Sequence, residues 1–209
     1  MRYAIVDEAA DSIIEQTNGR IVLGLPLGLG KPNPLVNALY RKATDDSTIS
    51  LTILTALSLT RPQASGDLQQ RFLQPFVERV YADYEELDYL KAARKESLPA
   101  NIDVHEFFVQ PASELSNAYT QQNYINSNYT HAARDMINRG VNVIAQAVAR
   151  RDHNGLEQLS LSCNPEITLD ALPALRRRKA AGETILLVGQ IHPDMPFMEN
   201  TAIAPEGMF

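Results

Sequence analysis

Short apolar runs alternate with amphipathic stretches along this chain. Six runs read as strands: residues 21–23, 50–54, 103–109, 141–145, 158–163 and 184–188. Most are rich in Val, Ile or Leu instead of alternating cleanly, as in a sheet covered on both faces. Helical stretches lie between many of them. The longest spans about 68–95, where Leu68, Phe72, Phe76, Val80, Tyr84 and Leu87 recur at three- or four-residue steps and form one apolar face. Asp135, Met136 and Ile137 belong to a shorter helix that ends near Gly140, a suitable C′ glycine. Residues 172–181 form another, with Pro173 near its first turn. This alternation predicts an α/β fold: an open, mostly parallel sheet flanked by helices, with right-handed crossovers.

The segment 20–42, RIVLGLPLGLGKPNPLVNALYRK, joins a strand to a helix through a loop at 24–34. The loop holds Gly24, Gly28 and Gly30 with Pro26, Pro32 and Pro34, and Leu35, Val36 and Leu39 follow as one helical face. Open α/β sheets bind ligands at the carboxyl ends of their strands. Eleven residues are more than such a connection needs, so the loop is expected to form a ligand wall; a bare glycine turn is the alternative. Neither familiar phosphate pattern is met. A Walker A loop would need glycine at Leu25 and a hydroxyl at Pro32. The dinucleotide fingerprint would need glycine at Asn33.

The chain's 209 residues and 44% hydrophobic content support one sizeable domain, or two small ones. A net charge of −6 argues against nucleic acid or an anionic membrane as partner. The one basic cluster, Arg176 to Lys179, sits late in a helix, where the macrodipole favours cations. A single cysteine, Cys163, leaves no internal disulfide or thiolate cluster and suits a cytoplasmic location. The start of the sequence lacks a signal-peptide layout, and no apolar run is long enough to span a bilayer. The apolar, proline-rich stretch 189–209 reads as a connection to a further segment.

Several polar groups are candidates for chemistry. His105-Glu106 begins an HExxH pattern, but Val109 stands where the second histidine belongs. On a strand these two side chains point to opposite faces, and both are expected to be structural or surface groups. Asn128, Thr130 and His131 lie in a dense polar cluster just before a helix, suited to an N-cap or to the wall of a pocket. Asn164 follows a strand signal, as Gln190 and His192 follow the last one, which places them at a ligand crevice; Asn164-Pro165 is equally a turn signal. Cys163 has no local base and is expected to be a buried, inert thiol. No nucleophile elbow and no zinc spacing occur.

Six segments carry a family resemblance: GLPLGLGKPNPLVNALYRKA, SLTILTALSLTRP, NYINSNYTHAARD, GVNVIAQ, LSLSCNPEITLDALP and LVGQIHPDMPFM. Together, in order, they resemble the amino-terminal half of the acetyl-CoA hydrolase/transferase family, the family I CoA-transferases. The resemblance implies a fold of two similar α/β domains, akin to phosphosugar isomerases, with the active site between them. It implies that a glutamate of the carboxyl-terminal domain attacks an acyl-CoA thioester and forms a glutamyl-CoA thioester. The CoA then passes to another carboxylate, or water releases it. Backbone amides of a glycine loop would stabilise the oxyanion. The glutamate-bearing stretch and second glycine loop are not in this sequence, so residues 1–209 are expected to be the amino-terminal domain, with no catalytic residue of its own.

Its implied ligands are acyl-CoA, hence coenzyme A, and a small carboxylate, with no metal. Its implied partner is the carboxyl-terminal domain or subunit, within a homo-oligomer of the full enzyme. Gly28, Gly30, Asn128, Thr130, His131, Asn164 and Gln190 would line the substrate side. A separately encoded α-type subunit, assembling with a β-type partner through 191–209, is the alternative. A free-standing phosphosugar isomerase would need its own acid–base residues around the glycine loop, where the sequence places no evident carboxylate.

Overall fold

The computed structural model describes residues 1–209. Helix α1 (Val6–Gln16) leads into β1 (Arg20–Leu27), a 3-10 turn at Gly28–Gly30, and α2 (Asn33–Asp45). Then come β2 (Ser50–Ala56), α3 (Asp67–Val80), α4 (Asp88–Arg94), β3 (Ile102–Glu106) and α5 (Ala118–Gln122). A 3-10 turn at Tyr129–His131 precedes α6 (Ala132–Asn138), β4 (Val143–His153) and β5 (Leu156–Ser160). The last long elements are α7 (Glu166–Ala180) and β6 (Leu186–Ile191).

Five strands form a parallel sheet in the order β3-β2-β1-β4-β6, and β5 pairs antiparallel with the distal half of β4. Successive side chains of a strand face opposite ways, and the core divides accordingly. Ile21, Leu23 and Leu25 of β1 join Leu51 and Ile53 of β2 under Leu35 and Leu39 of α2. Leu54 and Ile144 point the other way, to Met136 of α6 and Ala171 and Leu175 of α7. The fold is therefore an α/β sheet with helices on both faces, as the apolar strand runs predict.

The strand order reverses between β1 and β4. These strands pair only through Leu23↔Val143 and Gly24↔Ile144. A Cβ on Gly24 would stand 2.9 Å from Val141 Cγ2, so glycine lets the two backbones approach there. Asn142 stitches the strand starts, its Oδ1 accepting from Val22 N and its Nδ2 donating to Arg20 O, both at 2.8 Å. Beyond Gly24 no further pair joins the two strands, and it is at this end, where the order reverses, that sheets of this kind take ligands.

Four expectations are corrected. The loop at 24–34 is shorter than its glycines suggest. Strand β1 runs on through Leu27 with an irregular register at Gly24–Leu27, and α2 begins at Asn33. Pro26, which has no N–H to donate, is tolerated there because the irregular register leaves it outside the ladder. The helix expected over 68–95 is two helices. Arg61 donates to the carbonyls of Ala82 and Tyr84, and Asn33 and Asn37 donate to those of Glu85 and Glu86. These side chains hold 82–86 outside the helix. Pro173 lies inside α7, which starts at Glu166. Cys163 is exposed, not buried.

The stretch after β6 folds back over β5. Ser160 and Ser162 hydroxyls donate to the carbonyls of Met198 and Pro196, each at 2.8 Å. Met208 is buried against Val148 and Leu161. No helix is long and apolar enough to cross a membrane.

Candidate functional site

Two polar groups sit at the carboxyl edge of the sheet. The first lies at the strand-order reversal. Gly30 closes the 3-10 turn after β1, where a Cβ would stand 2.7 Å from Asn164 Oδ1. Its φ is not in the left-handed region, so the need for glycine there is a close approach. Asn164 is held from below by Gln146, a fully buried side chain of β4. Gln146 Nε2 donates to the carbonyls of Leu161 and Asn164, each at 2.9 Å, and its Oε1 accepts from Thr168 at 2.7 Å. Every polar atom of this buried amide is thus used. Gln190 reaches from β6 to the first turn of α2, where its Oε1 accepts from Leu35 N at 3.2 Å. Pro32 cannot cap that helix by a side-chain bond, and Gln190 does so from another strand.

Gly28, Gly30, Asn164 and Gln190 therefore gather around the start of α2, with Gly30 and Asn164 in contact. Asn128, Thr130 and His131 stand apart. They are exposed, and none makes a side-chain cap to the turn at 129–131 or to α6. Their neighbour Tyr129 anchors the segment. Its ring stacks on Phe107 at 6.4 Å between centroids, and its hydroxyl faces Glu166, two residues beyond Asn164. Burial and Glu166 push the Tyr129 pKa up to about 12.

The second group escaped the sequence reading. Lys31, 4% exposed, donates from Nζ to the carbonyls of Ala56 at 2.5 Å and Leu57 at 3.2 Å. Leu57 takes a φ of 48°, unusual for a non-glycine residue. The Ser58 hydroxyl then donates to Glu106 Oε1 and lies 2.8 Å from the buried Tyr89 hydroxyl. With Glu106 ionised, the donors run Tyr89 to Ser58 to Glu106. Burial lowers the Lys31 pKa to about 7, partly offset by Glu106, and burial raises that of Glu106. Glu106 is thus a member of a buried network, the structural one of the two roles expected for it. One signal could have found it: on β3, Glu106 shares the parity of the buried Ile102 and Val104.

A hollow of about 250 Å³ opens at this end between Arg61, Glu86, Lys91 and Arg94, but its lining includes none of Gly28, Gly30, Asn164 or Gln190. No cluster of His, Cys, Asp or Glu stands ready to hold a metal.

This fold and edge define the class: an α/β protein with its candidate site where the sheet reverses. No family model matches the chain, and no curated protein matches it. Solved structures do. RipA from Yersinia pestis aligns with a TM-score of 0.54 at 15% identity, over 96% of this chain and 39% of RipA. Two single-residue mutants of RipA align at 0.58 and 0.57 with 16% and 17% identity, over 96% of this chain and 38% and 39% of theirs. The likeness is one of fold, and the chain spans less than two-fifths of the length of these neighbours.

Proposed function

We propose that this chain is the amino-terminal half of an acyl-CoA:carboxylate CoA-transferase or acetyl-CoA hydrolase. The meeting of Gly30 with Asn164 at the strand-order reversal carries the reading. It joins two of the six family-like segments at the edge where such sheets take ligands. In this reading the turn at Gly28–Gly30, Asn164 and Gln190 form one wall of a cleft for acyl-CoA and a small carboxylate. Coenzyme A is the carried group. The nucleophilic glutamate lies on the other half, outside residues 1–209. Its carboxylate attacks the thioester and expels CoA thiolate, leaving an acyl-glutamyl anhydride. The thiolate then attacks the glutamyl carbonyl, and the acyl group leaves as its free carboxylate. CoA is held as a glutamyl thioester until a second carboxylate repeats these steps in reverse or water hydrolyses it. The turn would present backbone amides to the oxyanion. Acetyl-CoA and acetate are cytoplasmic metabolites in this reading.

Isotope exchange tests it. The 209-residue chain should not move labelled acetate into acetyl-CoA, whereas the chain joined to its carboxyl-terminal half should. The joined protein should also gain the mass of CoA on a glutamate beyond residue 209. Exchange by the 209-residue chain alone would place the nucleophile within it. A joined protein with neither exchange nor adduct would overturn the class.

A further inference from the structure

Three cationic residues from two parts of the chain line the hollow of about 250 Å³ between α4 and the segment after β2. Arg61 comes from that segment. Lys91 and Arg94 come from α4, where a spacing of three puts them on one face. Glu86 is the one carboxylate among the lining residues, which leaves an excess of two positive charges in a chain of net charge −6. The carboxyl end of a helix favours cations, which accounts for Lys91 and Arg94 but not for Arg61. Their donors are largely unspent. Arg61 uses only Nη2, which donates to the carbonyls of Ala82 at 3.1 Å and Tyr84 at 2.8 Å. Those bonds anchor the guanidinium and leave Nε and Nη1 unused. Arg94 Nε stands 3.6 Å from Glu114 Oε1, too far for a hydrogen bond. Lys91 is exposed and makes no ion pair.

Two further features shape the occupant. Glu86 Oε1 accepts from Arg61 N at 2.9 Å, and Oε2 remains to accept from a hydroxyl. Leu87, fully buried, and Leu90 give the hollow an apolar side. We propose that it binds the phosphate monoester of a small hydroxylated molecule. Such a group carries a charge of about −1.5 to −2 at neutral pH, which matches the excess on the lining, and its three terminal oxygens suit three cationic donors. Guanidinium forks hold phosphate by paired N–H bonds, and a lysine holds it as a point charge. The phosphate accepts from Arg61, Lys91 and Arg94, while a hydroxyl of the same molecule donates to Glu86. A monocarboxylate brings one charge and two oxygens, and leaves part of the lining unmatched. The hollow is smaller than the usual pocket for a drug-sized ligand, so the molecule is small. The lining shares no residue with the wall at Gly30 and Asn164, so this binding stands or falls apart from the thioester chemistry.

Calorimetric titration of the chain with glycerol 3-phosphate tests it at low ionic strength, where such charges are least screened. Saturable binding with a Kd below about 1 mM is expected, with glycerol not bound and inorganic phosphate and sulfate at least about threefold weaker. Lys91→Gln and Arg94→Gln, at exposed positions that leave the fold intact by circular dichroism, should each weaken it about tenfold. Coenzyme A carries a phosphate monoester on its ribose and is a second source of this chemistry. Tighter binding of coenzyme A than of dephospho-coenzyme A, lost in Lys91→Gln, would assign the hollow to that group; equal binding of the two would leave it to free esters. Three results would overturn the proposal: no saturation by about 20 mM glycerol 3-phosphate, binding indifferent to both substitutions, or an ester no tighter than sulfate, which marks an adventitious anion patch.

Discussion

A methyl group at Gly30 would stand 2.7 Å from Asn164 Oδ1, 2.9 Å from Asn164 Cβ and 3.0 Å from Pro26. Because the Cβ of Asn164 is too close as well, rotating its amide away does not clear the space. Gly30→Ala should therefore cost about 1–3 kcal/mol by urea denaturation. The same change should cost less in an Asn164→Gly background, and the double-mutant cycle measures the contact. Lys31 makes a pH prediction. Its pKa of about 7 in the folded chain lies below the ordinary 10.5. Between those values the unfolded chain binds the extra proton, so stability rises with pH across the window. Below about 7 both states are protonated and the burial penalty is complete. Urea midpoints at about pH 6.5 and 9 should climb in the native chain and stay nearly level in Lys31→Met, which lacks the titrating amine. Glu106 acts with the opposite sign at lower pH. Its raised pKa keeps a proton on the folded chain longer, so stability falls as pH rises through that window.

Between elements, buried amides do the joining. Asn37 on α2, 1% exposed, donates to Glu86 O and Glu85 Oε1 and accepts from Asp88 N, each at 2.9 Å. It thereby holds the segment before α4 and the first turn of α4 itself. Asn37→Leu should cost about 2–4 kcal/mol, since it strands buried partners as well as removing bonds. Hydrogen exchange should show lost protection centred on Glu86 to Asp88. The same side chains explain what the sequence hid. All six strands were legible in place though not in their bounds. The parallel ones were so because strands covered between helices are written as runs of Val, Ile and Leu, whereas β5 is largely exposed and starts two residues before its signal. The break between α3 and α4 was not, because its cause lies in Asn33, Asn37 and Arg61, far off in the chain. Periodicity through Tyr84 and Leu87 continues across the break and conceals it. The site was legible in part for a related reason. Gly30 and Asn164 flank strand signals that could be read, whereas the Lys31 network needs β2 and β3 side by side before its members meet.

Across the molecule, the segment after β6 acts as a strap on the hairpin of β4 and β5. Leu161 N donates to Ala202 O at 2.7 Å and Ala204 N to Leu159 O at 2.8 Å, and Met208 covers Val148. Met208→Ala should cost about 2–4 kcal/mol in a chemical melt, as large-to-small changes in a core do. Its effect should fall on exchange protection in β5 before β1. The strand order has a consequence for the protein's birth. Strands β1, β2 and β3 leave the ribosome together, and their pairings need no later residue. The other side of β1 must wait for β4, which begins about forty residues after β3 ends. At about 5–20 residues per second that wait lasts seconds. During it, the strand destined for the middle of the sheet is an edge, with Ile21, Val22 and Leu23 open to any passing chain. Nascent chains halted just short of Val143 should therefore be those most readily bound by chaperones, and those halted well past Val148 the least.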